Sequence, residues 1–300
     1  MRESTLQDYK RRLLPVLVHI QMHLDEELEL EELANIAFFS PYHFHRIFKG
    51  MLGESLKSHI RRLRLERAAL QLRVGRLQVT QIALNAGYRT HEAFTRSFKA
   101  SFGVSPSQFR MDRRASDSLK AASGVHYLEG MELFDFRTAR TGGQTMDVRI
   151  KKMNPIRVAF VRHTGPYSLC GNAWDKLLTY MGKEGLIGGD LLFIGICYDD
   201  PEVTPPDKVR YDACVAVDDN FAPIGEIGVQ VIDGGEFAVT THFGPYDKLG
   251  ETYGKLFGQW LPRSGRELRS SPCFEVYLND PQGTDPKDLI TDIYMPLEEK

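Results

Sequence analysis

Only four cysteines occur in the 300 residues. Cys170, Cys197, Cys214 and Cys273 stand far apart, and no two have the spacing of metal ligands. A zinc centre and a disulfide scaffold are therefore both excluded as organising principles. The expected role of these residues is that of small apolar side chains in a reduced cytosol. The uncharged apolar runs fall far short of the roughly twenty residues that cross a bilayer. No leader precedes the first charged residues, so a cytoplasmic chain that meets no membrane is expected. A clear nucleophile–base set is also lacking; neither an enzyme, a metal nor a cofactor is expected.

The overall charge is small, −2, but it averages two unlike parts. Residues 1–115 hold 19 Lys and Arg against 12 Asp and Glu, a balance of +7, and the remainder holds 19 against 28, or −9. A basic part joined to an acidic one fits a nucleic-acid reader fused to a module that stays off nucleic acid.

The basic part contains a pattern twice. Ser40-Pro-Tyr-His-Phe-His-Arg-Ile-Phe-Lys49, followed by Met51-Leu-Gly53, returns as Thr90-His-Glu-Ala-Phe-Thr-Arg-Ser-Phe-Lys99, followed by Ser101-Phe-Gly103. Phe44, Arg46, Phe48, Lys49 and Gly53 map onto Phe94, Arg96, Phe98, Lys99 and Gly103 at one offset. Leu33, Ala34 and Ala37 upstream match Ile82, Ala83 and Ala86. A short helix, a tight turn and a second, basic-faced helix is the helix-turn-helix plan, and two copies on one chain can engage two grooves of duplex DNA without a dimer.

Periodicity predicts the remaining helices. Leu6, Tyr9, Leu13, Leu17, Ile20 and Leu24 form an apolar stripe, bent or interrupted at Pro15. A helix over about 30–37 follows, then one from Ser40 to about Leu52, with Pro41 at its first position. Phe44, Ile47 and Phe48 point to the core, leaving Tyr42, His43, His45, Arg46 and Lys49 on or near the outer side. A helix from about Ser55 to Val74 draws its charge from Arg61, Arg62, Arg64 and Arg67 and ends at Gly75. At about 30 Å it can space two readers on adjacent major-groove segments. The second reader spans helices near 79–86, 90–102 and 106–112.

These motifs, with Ile82-Ala83, Gly87-Tyr88, Phe102-Gly103, Pro106 and Phe109-Arg110, resemble the AraC/XylS family of transcriptional regulators over about residues 8–112. The resemblance implies that outward residues early in each recognition helix meet base edges: Tyr42, His45 and Arg46 in the first, His91, Glu92 and Arg96 in the second. Thr95, Lys49 and Lys99 are then expected at phosphates. Arginine forks onto guanine O6 and N7 and glutamate accepts from cytosine N4, whereas histidine specifies little. RNA polymerase is a further expected partner.

Residues 113–146 lose periodicity and read as a linker, with Met131–Phe136 either a short strand or a segment packed on one neighbour. Beyond them the chain repeats at an offset of 79: Ala159-Phe-Val-Arg-His163-Thr-Gly165-Pro-Tyr167 matches Ala238-Val-Thr-Thr-His242-Phe-Gly244-Pro-Tyr246. Trp174 falls on Tyr253, Leu177 on Leu256 and Tyr198 on Tyr277, while Asp212 meets Asp292 only after a one-residue slip. Each copy reads as strand, turn, helix and two strands. The expected architecture is an all-α domain (1–112) and an α+β domain (147–300), the latter one antiparallel sheet with both helices on one face and a cleft on the other.

In Cys273-Phe-Glu-Val-Tyr-Leu278, alternation sets Cys273, Glu275 and Tyr277 on one face and Phe274, Val276 and Leu278 on the other. The first copy carries Ile196 where the second has Glu275. A carboxylate in a strand centre calls for a partner; either a neighbouring Arg or Lys supplies it or a cationic ligand does, the latter with cation–π help from Tyr167, Trp174, Tyr246, Tyr253, Trp260 and Tyr277. His163 and His242 read as structural hydrogen-bonders. Arg162–Tyr167 and Phe274–Tyr277 resemble the gyrase-inhibitor-like effector-binding domains, in which such a glutamate floors a ligand cleft. That resemblance implies a small cationic or aromatic effector. Hydrolysis of small electrophiles, using Glu275 and Tyr277 as base and orienting acid, and a protein-binding module remain the alternatives.

Overall fold

A computed structural model describes residues 2–112, 116–130, 133–139, 146–186, 191–201, 203–223 and 225–299. They divide into two compact units, Glu3–Gly142 and Gly143–Lys300, the latter taken together with Met1–Arg2.

The first unit is helical. Helix α1 (Arg2–Met22) runs through Pro15 without a break. Helices α2 (Leu30–Ile36) and α3 (Pro41–Leu52) form one helix-turn-helix pair, and α5 (Val79–Asn85) and α6 (His91–Phe102) the other. Helix α4 (Leu56–Val74) joins the pairs, and α7 (Pro106–Met111) closes the second. Ser40, Ser55, Thr90 and Ser105 each accept a main-chain N–H in the first turn of their helix. This satisfies donors that a helix start otherwise leaves open. Gly53 and Gly103 end α3 and α6 in the left-handed region, where a Cβ is costly. The turn of the second pair uses Gly87 at φ 80°, but the corresponding residue of the first is Phe38, at φ 56° and 82% exposed.

The stretch expected as a linker is fastened to this helical unit in its described residues. Glu66 of α4 accepts the N–H groups of Leu119 and Tyr127, each at 2.9 Å, and lies 3.0 Å from His126 Nδ1. Arg62 donates to the Val125 carbonyl at 2.8 Å, and Gln21 of α1 bonds both the His126 carbonyl and the Leu128 N–H. Ala139 N–H reaches the Met51 carbonyl at 2.7 Å, and Val125 and Phe136 are buried. No strand forms over 133–136; Met131, Glu132 and the Thr141–Gly143 turn lie outside the described residues. Arg62 and Arg67, two of the four arginines that charge this helix, are buried, and each meets a partner: Arg62 pairs with Glu54 and Glu66, and Arg67 with Asp25. Burial alone would raise the Glu54 carboxyl, but hydrogen bonds from His59 and Arg62 outweigh it and bring it to about 2.

Cutting the chain at residue 112 removes the Leu119 and Tyr127 N–H groups and His126 from Glu66, and the Val125 carbonyl from Arg62, which keeps Glu54 and Glu66; each hydrogen bond lost costs about 0.5–1.5 kcal/mol net. A fragment ending at 112 is expected to melt roughly 10 °C below one ending at 142. Equal melting temperatures in a calorimetric scan would show that the 116–139 segment is a passive tether.

The second unit is one eight-stranded antiparallel sheet in the order β1-β6-β8-β7-β3-β4-β2-β5. The strands are β1 (Arg149–Met153), β2 (Ile156–Thr164), β3 (Phe193–Cys197), β4 (Arg210–Ala216), β5 (Gly228–Ile232), β6 (Gly235–Phe243), β7 (Cys273–Tyr277) and β8 (Ile290–Leu297). Helix α8 (Gly171–Lys183) belongs to the first copy; α9 (Leu249–Lys255), a wider-wound turn over Leu256–Trp260 and α10 (Leu261–Ser264) belong to the second. The two halves are related by a pseudo-two-fold axis through the central β3–β7 pair.

Short connections join β1 to β2 and β5 to β6, although these strands stand toward opposite ends of the order. The sheet must therefore curl until its edges approach. Gly234 marks the approach, since a Cβ there would lie 2.7 Å from the Met153 carbonyl oxygen. The curl encloses Val158, Ile194, Cys214, Phe237, Val239 and Phe274, all buried. The outer face carries α8 over Ala159, Val161, Ala213 and Val215.

Candidate functional site

Helices α3 and α6 have the same length and caps, so their residues occupy matching faces. In both, the phenylalanines point inward: Phe44 and Phe48, Phe94 and Phe98 are fully buried. Tyr42, Arg46 and Lys49, and likewise Glu92, Arg96 and Lys99, stand on the side of the helix opposite these rings. The two faces differ in exposure. On α6, His91, Glu92, Arg96 and Lys99 are exposed and Thr95 is half-buried. On α3, Tyr42 and Lys49 are half-buried, while His43, His45 and Arg46 are buried. The expectation that these last three lie on the outer side is corrected in this respect. Part of the reason is local: the Arg46 guanidinium lies over the Tyr42 ring at 4.6 Å, and His43 Nδ1 turns back to Ser40 Oγ at 3.0 Å. Burial first, and the Arg46 charge second, lower His43 to about 4.

In the second unit, the strand pairing places the chemistry. The copies start at 149 and 228, and at 156 and 235, an offset of 79. After the helices they start at 193 and 273, and at 210 and 290, an offset of 80. The slip thus lies between the second and third strands of each copy, and the counterpart of Glu275 is Gly195, not Ile196. Register agrees, since Gly195 pairs directly with Glu275 while Ile196 pairs with Phe274 on the enclosed face. A Cβ at Gly195 would lie 2.4 Å from the Tyr277 hydroxyl and 2.5 Å from that of Tyr211. Glycine is what lets both phenols close over the strand.

Glu275 is buried and hydrogen-bonded on both oxygens. Tyr253 and the Cys197 thiol donate to Oε1 at 3.1 and 3.5 Å, and Tyr277 donates to Oε2 at 2.8 Å. The Tyr277 and Tyr211 hydroxyls are 3.0 Å apart, and Trp174 Nε1 donates to Tyr211 at 3.0 Å. Burial, and then the Glu275 charge, push both tyrosines well above their ordinary value, so they stay protonated as donors. Burial and the same carboxylate raise Cys170 to about 11.

The ring of Tyr277 has Trp174 at 5.8 Å and Tyr246 at 5.4 Å, both edge-on. Tyr167 stands behind Tyr211, at 5.9 Å, with its hydroxyl bonded to the Asp199 carbonyl. Trp260 lies in the wider-wound turn and, among the described residues, shares no ring contact or hydrogen bond with this group. The group includes residues of α8 and α9 and so lies on the helix-bearing face. The expected cleft on the opposite face is corrected: the curl fills that side with apolar side chains. His163 and His242 bond the carbonyls of Pro166 and Pro245, each pinning its own turn. Tyr211, Cys197 and Gly195 were not among the expected site residues; alternation along β3 and β4, applied with the corrected offset, points to all three.

Two registered helix-turn-helix pairs joined by one rod define a DNA-binding regulator, and the fused sheet defines its small-molecule-binding part. A profile described as the GyrI-like small molecule binding domain matches residues 146–298, and one described as a helix-turn-helix domain matches residues 33–112. The chain belongs to the GyrI-like small-molecule-binding family and carries an AraC-type helix-turn-helix domain. It is 32% identical over 157 residues to "Probable transcriptional regulator YgiV" of Escherichia coli strain K12, spanning 51% of this chain and 97% of that protein. It is 39% identical over 98 residues to the Transposon Tn10 TetD protein of Escherichia coli, spanning 33% and 71%. A solved complex of EcmrR with DNA is 23% identical over 51% of this chain and 58% of that one, at a TM-score of 0.43. Among the described residues no helix is long and apolar enough to cross a membrane.

Gly195→Ala is expected to force Tyr277 off Glu275 and Tyr211 off Tyr277 and to destabilise the protein by about 1–3 kcal/mol, the range for overpacking. Chemical denaturation reads this directly, and an unchanged midpoint would mean that the two phenols do not need the glycine.

Proposed function

We propose that the chain is a one-component transcription regulator that reads two adjacent major-groove segments with α3 and α6 and binds a small cationic, aromatic effector against Glu275. The observation that carries the effector reading is a buried carboxylate at the pseudo-two-fold seam, bordered by aromatic rings. A cation takes Coulomb attraction from the carboxylate and about 0.5–2 kcal/mol from each ring face it meets. Tyr277, Tyr253, Trp174 and Tyr246 are the nearest rings, with Tyr167 behind them; Trp260 is the least supported of the expected set. Among the described residues, the donors on Glu275 are neutral, so they orient the carboxylate without cancelling its charge. In this reading Glu275 and Tyr277 form a recognition pair rather than a base and acid, and the chain acts in the cytoplasm, meeting RNA polymerase at the promoter.

On DNA, Arg96 is assigned to a guanine edge, Glu92 to cytosine, and Tyr42 and His91 to neighbouring bases; Arg46 reaches a guanine only by leaving its place over the Tyr42 ring, and the fully buried His45 is withdrawn from the set. Lys49, Thr95 and Lys99 are assigned to phosphates. Helix α4, at 19 residues, spans about 28 Å, comparable with the groove repeat of about 34 Å.

Two experiments test the two halves. With sites selected from random duplexes, Arg96→Ala is expected to cost about 1–3 kcal/mol and to relax preference at one base step; a loss equal across all sequences would reassign Arg96 to the backbone. Titrated with rhodamine 6G, Glu275→Gln is expected to bind at least about tenfold more weakly than the parent, the equivalent of roughly 1.4 kcal/mol. Equal affinity in both proteins would remove the glutamate from recognition.

A further inference from the structure

We infer that Cys197 and Cys273 form a peroxide-responsive dithiol under the effector site, and that its oxidation to a disulfide tunes Glu275 for cationic ligands. The second half of this inference rests on the effector reading above; the first half does not.

The strand register is the starting observation. Cys197 of β3 and Cys273 of β7 are direct cross-strand partners, on the face that carries Glu275 and two positions from it. Directly opposed residues of antiparallel strands have Cα atoms about 4.5 or 5.5 Å apart, depending on the hydrogen-bonding of the pair. Both separations fall within the roughly 4.4–6.8 Å that a disulfide spans. Neither residue is disulfide-bonded in this structure. The bond would staple the two halves of the pseudo-symmetric sheet at their seam. Cys214, whose strand position faces the enclosed core, has no such relation to either residue.

The second observation is the proton acceptor. The Cys197 thiol already donates to Glu275 Oε1 at 3.5 Å. When its sulfur attacks hydrogen peroxide, the O–O bond breaks and Glu275 takes the thiol proton. The departing hydroxide receives that proton and leaves as water, and Cys197 becomes a sulfenic acid. The Cys273 thiol then attacks the sulfenic sulfur; the S–O bond breaks, the S–S bond forms and a second water leaves. Two thiols are oxidised and one peroxide is reduced to two waters.

The consequence for the site follows from the hydrogen bonds. A disulfide has no S–H, so Glu275 loses the donor that Cys197 supplied and keeps Tyr253 and Tyr277. A carboxylate with fewer donors gains more from a cation, so oxidation is expected to tighten cation binding. Linkage makes the coupling reciprocal: a bound cation shifts the dithiol toward the disulfide.

The test uses the full chain, reduced and then treated with hydrogen peroxide. Peptide mapping after alkylation is expected to show a Cys197–Cys273 cross-link, and rhodamine 6G is expected to bind about three- to tenfold more tightly than before oxidation. Cys273→Ser is expected to show no cross-link, no tightening, and a dimedone adduct on Cys197. A different pairing, or no cross-link under peroxide that oxidises the methionines, overturns the dithiol. A correct cross-link with unchanged or weakened dye affinity overturns the coupling alone. Reduced protein that fails to bind the dye overturns the effector reading and the coupling together, while the peptide map still decides the dithiol.

Discussion

The central β3–β7 pairing is the constraint from which the effector unit takes its form. A pseudo-two-fold axis passes between Gly195 and Glu275, and the two positions cannot both carry large side chains. Glycine on one strand gives room for the Tyr277 and Tyr211 hydroxyls, which otherwise would meet a Cβ well inside van der Waals contact. Tyr277, itself bonded to Tyr211, joins Tyr253 and Cys197 in supplying the hydrogen bonds that let a carboxylate remain in a sheet interior. Duplication built a symmetric sheet; breaking the symmetry at one residue pair made a polar centre in it. The curl imposed by the short β1–β2 and β5–β6 links completes the arrangement, because it closes the opposite face and leaves the helix-bearing face for chemistry.

The helical unit is organised by a different interaction with the same logic. Helix α4 buries Arg62 and Glu66, and neither tolerates burial without partners. Glu54 and Arg62 supply part of the answer, and the main chain of 116–139 supplies the rest. The rod between the two readers is thereby bound to a segment that leads toward the effector unit in sequence. The two helix-turn-helix pairs are alike in length, capping and core, yet α6 presents its polar face openly and α3 does not. Equivalence in sequence therefore does not make the two readers equivalent in accessibility.

Much of this was legible in the residues. The repeated Phe44/Phe48 and Phe94/Phe98 spacing marks both recognition helices because a helix returns to one face every three or four residues, and Ser40, Thr90, Gly53 and Gly103 mark their ends. Alternation in Cys273–Tyr277 placed Glu275 beside Tyr277 and apart from Phe274. Two features were hidden. The coincidence of Tyr198 with Tyr277 carried the 79-residue offset one element too far, and only the strand starts show where the extra residue enters. The 116–139 segment reads as a tether because its described residues are held largely through their own N–H and C=O groups, which leave no side-chain periodicity; the side chains that grip it, Gln21, Arg62 and Glu66, sit on helices far away in sequence. Tyr211 was missed for the same reason as Gly195, since its place on the site face follows from register rather than from composition.

The central claim is that a cation is held at the seam, against Glu275. An anomalous-difference map from crystals of the full chain grown with tetraphenylarsonium tests it without reliance on any substitution. The account predicts an arsenic peak on the helix-bearing face, among Glu275, Tyr277, Tyr253, Trp174 and Tyr246. A single well-occupied peak elsewhere, with Glu275 and its tyrosines undisturbed, would contradict it.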